Sequence, residues 1–85
     1  MREIHFYRTI SGHSPVENFF DTLSDRQVEK VLWVLRIIRD FEYIPKEYFK
    51  KLINTEDIWE IRVKSGSNIF RILGFFDKNK FIILT

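Results

Sequence analysis

The chain has 85 residues, no cysteine, 45% apolar and 31% charged residues, and a formal net charge of only +2. This is enough chain for one domain, too apolar for a disordered segment, and it excludes a disulfide scaffold or a thiolate zinc site. No apolar run approaches the ~20 residues of a membrane span and no charged-then-apolar leader opens the chain, so a cytoplasmic protein without a membrane partner is expected.

Residues 3–9 alternate in character and are rich in strand formers, so they read as a first strand, left through a turn at Ser11-Gly12-His13. Ser14-Pro15-Val16-Glu17 then carries three agreeing helix-start signals: a capping hydroxyl, a proline at the first helical position, and a glutamate placed to complete a capping box. That helix runs on through Asn18–Leu23. Ser24-Asp25-Arg26-Gln27 repeats the capping logic and opens a longer helix, roughly residues 25–42. Val28, Val31, Leu32, Leu35 and Ile38 recur on it at helical spacing, and Trp33, Val34, Ile37 and Phe41 widen the stripe. A stripe this wide implies cover on more than one side, by the sheet and by a partner. Tyr43-Ile44-Pro45 is expected to end the helix, because a residue before proline is pushed out of helical geometry.

Lys46–Leu52 reads as a short helical turn leading to a polar loop, Asn54-Thr55-Glu56. From Asp57 to Lys64 the pattern alternates cleanly, with Trp59, Ile61 and Val63 on one face and Glu60, Arg62 and Lys64 on a wet one. Ser65-Gly66-Ser67 is a hairpin turn, and Asn68–Phe76 a strand with Gly74 as a bulge or close-approach point. Asp77-Lys78-Asn79 turns again into a last strand, Lys80–Thr85. The order is β-α-α-β-β-β, an α+β domain with two helices packed on a mostly antiparallel sheet.

Charge is distributed unevenly along this order. Residues 1–44 hold six basic and seven acidic side chains, and residues 45–85 hold eight and five. The basic excess therefore falls on the sheet-forming half, where it can draw a polyanion to one face. Arg71 stands in the apolar run Phe70–Leu73 and requires an anionic or hydrogen-bonding partner. Folding the hairpin at Ser65-Gly66-Ser67 brings Arg62 and Arg71 near each other, opposite or diagonal. Two guanidiniums there can clamp a phosphate through their fork geometry. The competing arrangement pairs Arg62 with Glu60 or another surface acid, and Arg71 with a buried carboxylate. Lys46, Lys50 and Lys51 form a basic cluster before the sheet, and Lys64 adds a charge beyond Arg62. Such lysines can hold an RNA backbone, with Tyr48 and Phe49 either stacking on bases or belonging to the core.

The two histidines, His5 and His13, have no partner at metal-ligand spacing, so neither a metal nor another cofactor is expected. No glycine-rich phosphate loop, nucleophile elbow or His-Glu zinc helix is present, which removes most familiar enzyme classes.

Lys50-Lys51-Leu52, Ile58-Trp59-Glu60-Ile61-Arg62-Val63, Asn68-Ile69-Phe70-Arg71-Ile72-Leu73, Phe75-Phe76-Asp77 and Phe81-Ile82-Ile83-Leu84 form a series that resembles the phage-derived Gp49-like HigB toxins, a branch of the RelE/ParE superfamily. The upstream Phe-Tyr strand and the Pro-Val helix start are also similar to that branch, so the resemblance spans nearly the whole chain. It implies the toxin of a type II toxin–antitoxin system, a ribosome-dependent endoribonuclease that cuts messenger RNA and is inhibited by a helix-turn-helix, HigA-like antitoxin. By position, Arg62 and Arg71 match the arginines that hold the scissile phosphate, and Lys50 or Lys51 matches the upstream RNA-binding segment. In the resembled family a His or Tyr, a Phe and paired lysines usually follow the last strand. Thr85 stands where that segment would begin, so a domain without its C-terminal tail is expected. Two other outcomes share the scaffold: a ParE-like gyrase poison, and a catalytically dead remnant that only binds an antitoxin.

Overall fold

Serine begins both helices. A computed structural model describes residues 2–12, 14–53 and 57–84. Within it the Ser14 hydroxyl accepts the Glu17 N–H, and Pro15 is the first residue of α1 (Pro15–Asp21). The reciprocal half of the expected box is missing, because the Glu17 carboxylate pairs with the Arg8 guanidinium instead. A charged partner is a stronger attraction than a backbone N–H. Ser24 opens α2 (Asp25–Asp40) with a complete box: its hydroxyl accepts the Gln27 N–H at 3.2 Å, and the Gln27 side chain accepts the Ser24 N–H at 2.9 Å.

Helix α2 stops at Asp40, before the Tyr43-Ile44-Pro45 stretch expected to end it, and Phe41 is already extended. The Arg2 guanidinium donates to the carbonyls of Ile38, Phe41 and Glu42 there. It thereby satisfies groups that a helix end leaves without partners. This long-range cap cannot be seen in the local pattern.

The sheet has five strands in the order β1-β5-β4-β3-β2. Strand β1 (Glu3–Phe6) is shorter than the expected 3–9, because its pairing with β5 (Lys80–Ile83) ends at Phe6 opposite Ile83. That pair is parallel and the other three are antiparallel, giving a mixed sheet. The segment read as a helical turn is half turn and half strand. Tyr48 N–H bonds to the Pro45 carbonyl, and the chain then extends as β2 (Phe49–Lys51) along β3 (Trp59–Ser65). Three residues are too few to show alternation, which is why this edge strand was not expected. The hairpin from β3 to β4 (Asn68–Asp77) turns on Gly66 and Ser67, with Ser65 opposite Asn68 and Gly66 at φ +63°. His13, the Asn54-Thr55-Glu56 loop and Thr85 lie outside the described residues.

Both helices cover one sheet face. Val16, Val31, Val34, Leu35 and Ile38 pack against Phe49, Ile61, Val63, Ile72, Phe81 and Ile83 to form the core. Phe49 stacks on Trp59 at 4.7 Å and meets Phe81 edge-on at 5.2 Å. Such pairs contribute about 0.5–1.5 kcal/mol each beyond their buried area. Gly74 is the close-approach point: a Cβ there would lie 2.5 Å from the Ile82 carbonyl oxygen and 2.7 Å from the Phe81 ring. The architecture is α+β, two helices on a five-stranded mixed sheet. Among the described residues no helix is long and apolar enough to cross a membrane.

Candidate functional site

Residues paired directly across a ladder share a face. On the face turned away from the helices, Lys50, Glu60 and Leu73 therefore form one row, Arg62 and Arg71 the next, and Lys64 with Ile69 a third. The register settles the relation of the two arginines: they are directly opposite.

Like charges placed opposite each other repel. Glu60 offsets that repulsion. Arg62 Nε donates to Glu60 Oε1 at 2.9 Å, while Arg71 Nε lies 3.9 Å from Oε2, an ion-pair distance beyond hydrogen-bond reach. One carboxylate thus supplies both partners that the competing arrangement required. The face is not uniformly wet as expected, because the Glu60 side chain is only 10% exposed. It sits mid-sheet beneath two guanidiniums that are themselves 38% and 54% exposed. The carboxylate holds Arg62 by a hydrogen bond from its inner Nε and faces the inner Nε of Arg71 at ion-pair distance. Neither guanidinium has another ion pair or side-chain hydrogen bond among the described residues, so the outer nitrogens remain open to a ligand. Half-buried Leu73, Phe75 and Ile82 continue this face as an apolar floor.

The lysines divide. Lys46, Lys50 and Lys51 line one depression of about 560 Å³ with Arg2, Tyr43 and Trp59 at the β2 edge. Of these three, only Lys50 shares the arginines' face. Lys51 lies opposite Trp59 on the helix side, 3.9 Å from the Asp57 carboxylate. Lys64 does not join them and lines a separate groove beside α2. Phe49 is core, and Tyr48 meets the Trp33 ring edge-on at 5.8 Å. These aromatics therefore serve packing.

No histidine stands beside the arginine pair among the described residues, and the carboxylate that does, Glu60, is engaged by both guanidiniums. His5 is on the same face but on β1, opposite Ile82, and bonds to Glu3 at 3.3 Å. It is two strands across and four residues along from Arg71, roughly 10 Å by 13 Å. The displaced titration lies elsewhere: the hydrogen bond from Arg39 holds the exposed Asp40 carboxyl below its ordinary range, and raises Arg39 in turn. No cluster of His, Asp and Glu among the described residues could hold a metal ion.

Reading the sequence alone treated Glu60 as one of several surface acids. The signal that could have singled it out was an acid two residues from one arginine and, across the hairpin, close to another. A family model described as phage derived protein Gp49-like (DUF891) matches residues 18–85. No curated protein and no solved structure matches the chain.

Proposed function

Because the chain belongs to the phage-derived Gp49-like family, we propose that it is the toxin of a type II toxin–antitoxin module, with RelE/ParE-type topology, and that it cuts messenger RNA on the ribosome. The observation that carries this reading is the pair Arg62 and Arg71, directly opposite on the open sheet face and held from behind by one buried carboxylate.

In that reaction the ribose 2′-hydroxyl attacks the adjacent phosphorus, the bond to the 5′ oxygen of the next nucleotide breaks, and charge builds on the non-bridging oxygens. Guanidiniums fixed before the reaction stabilise that charge without reorganising. Glu60 hydrogen-bonds the inner nitrogen of Arg62 and attracts that of Arg71, leaving the outer ones for the phosphate. Lys50, one row away, extends the phosphate contact, and Lys46 and Lys51 hold the RNA nearby. The proposed partner is a HigA-like helix-turn-helix antitoxin. The groove lined by Ile4, Phe6, Leu32 and Leu35, between β1 and α2, offers it an apolar seat.

The engagement of the Glu60 carboxylate by both arginines, with no histidine beside them among the described residues, favours a second reading: a binding protein on the same scaffold, either a ParE-like gyrase poison or an antitoxin-binding remnant. A translation reaction on a defined message separates these. The expected result is cleavage that requires ribosomes and drops ~100-fold or more in Arg71→Ala. An intact message with gyrase-linked DNA breaks would establish the poison. An intact message, unbroken DNA and tight antitoxin binding would establish the remnant.

A further inference from the structure

The flank of α2 that meets the β3–β4 turn carries cations that the catalytic reading does not use. Arg26, Lys30, Trp33 and Arg36 recur at helical spacing along it, over on the order of 15 Å. With Lys64, Ser65 and Gly66 of the β3–β4 turn they line an open groove of about 810 Å³. Four cations face a single carboxylate there, that of Glu29.

Two features set this groove apart from an ordinary solvated helix face. The first is guanidinium satisfaction. Arg2, Arg8, Arg39, Arg62 and Arg71 each hold a carbonyl or a carboxylate. Arg26 and Arg36 have neither an ion pair nor a side-chain hydrogen bond among the described residues, and both line this groove. The second is Trp33. Trp59 is stacked on Phe49, whereas Trp33 remains 41% exposed, with Lys30 Nζ 4.4 Å from its ring centroid and Tyr48 against its edge. Open guanidiniums beside an exposed indole suit a strand of phosphates and bases.

We propose that this groove is a second RNA subsite, which takes a single-stranded segment outside the cleaved phosphodiester, with phosphates on Arg26, Arg36 and Lys64 and a base on Trp33. Lys64 makes the connection. It lies two residues from Arg62 on the same strand face, and it also lines the groove, so RNA held at the arginine pair has a charged path to α2. The inference rests on the reading of this protein as acting on RNA, but it can be tested without any cleavage.

The probe is a short, unstructured, fluorescein-labelled RNA oligonucleotide, and the readout is its anisotropy across a salt series. Every variant carries Arg71→Ala, so that chemistry plays no part. Adding R26A and R36A should weaken binding about tenfold and flatten the slope of log affinity against log salt by roughly 1.4, about 0.7 for each lost phosphate contact. Adding Trp33→Ala instead should weaken binding roughly fivefold or more while leaving the slope in place. Lys78→Ala with Lys80→Ala, at the far hairpin, removes the same charge and is expected to have a smaller effect. Equal losses in the two double variants, or an unchanged affinity and slope in R26A/R36A, would overturn the subsite. Loss of RNA binding in R26A/R36A from a protein that never cuts RNA would refute the nuclease reading and leave the subsite standing.

Discussion

The two faces of the sheet are made from the same strands and differ in almost every physical respect. Along β3, Ile61 and Val63 face the helices and are fully buried, while Arg62 and Lys64 alternate with them on the open side. The covered face gains its stability from area removed from water and from aromatic contacts. The open face holds charge with few partners, which contributes little to folding and leaves groups available to a ligand. Glu60 belongs to both: it sits on the open face by register and is as buried as the core. A charged face can thus be ordered without being covered, where one buried carboxylate faces its cations.

The sharpest way to break this contrast is to damage one face and watch the other. Phe81→Ala empties the centre of the covered face and should cost about 3–5 kcal/mol, measured by urea unfolding. In so small a domain that is a large part of the total, and every activity should fall with it. Arg71→Ala should do the reverse, losing cleavage ~100-fold or more while its unfolding midpoint stays within experimental error of the parent. A fall in both would mean that the open face is structural. Glu60→Gln tests the residue shared by both faces. It keeps an acceptor for Arg62 and loses the charge facing both arginines. About 1 kcal/mol of stability should go, the difference between a charge-assisted and a neutral hydrogen bond. Cleavage should drop with no change in the unfolding cooperativity, and Glu60→Asp should restore the charge without restoring the reach.

The smallest expected effect lies outside both faces, at the end of α2. The Asp40 carboxyl is held below its ordinary value of 3.8 by the Arg39 hydrogen bond. A depressed folded pKa contributes stability above the unfolded value and loses it as pH falls through the folded one. Asp40→Asn should therefore be slightly less stable than the parent at neutral pH, and the two should converge as the pH falls below about 3.8. Because the pair lies at the surface and is screened by water, that difference should be slight.

Much of the fold was legible in the sequence, and the exceptions have physical causes. Ser24 and Gln27 announced α2 because a capping box is a local device, complete within four residues. Trp59 to Lys64 announced β3 because alternation over six residues is unambiguous. Strand β2 escaped because three residues carry no period, and because its partner lies beyond a loop. The end of α2 was misplaced because its cap comes from Arg2, at the other end of the chain in sequence. In the site, Arg62 and Arg71 could be named from their context, but whether they stood opposite or diagonal depended on one residue of register. Of the two roles open to Tyr48 and Phe49, packing against other aromatics is the one the fold uses, and Lys64, beyond Arg62 on β3, also reaches the groove beside α2. Arg26 and Arg36 were invisible as a pair, since only the satisfied state of the other arginines makes them unusual.

The parallel pairing of β1 with β5 has a consequence for how the molecule comes into being. Glu3 waits for Lys80 and Phe6 for Ile83, so β1 cannot pair until the chain has been made as far as Ile83. Phe81 and Ile83, both fully buried, arrive with that last strand. Contacts spanning this much sequence are entropically slow to form. A nascent chain carrying both helices and the β3–β4 hairpin would still expose the surface those two residues cover. Chaperone capture, proteolysis and hydrogen exchange should all find β1 the last strand to become protected.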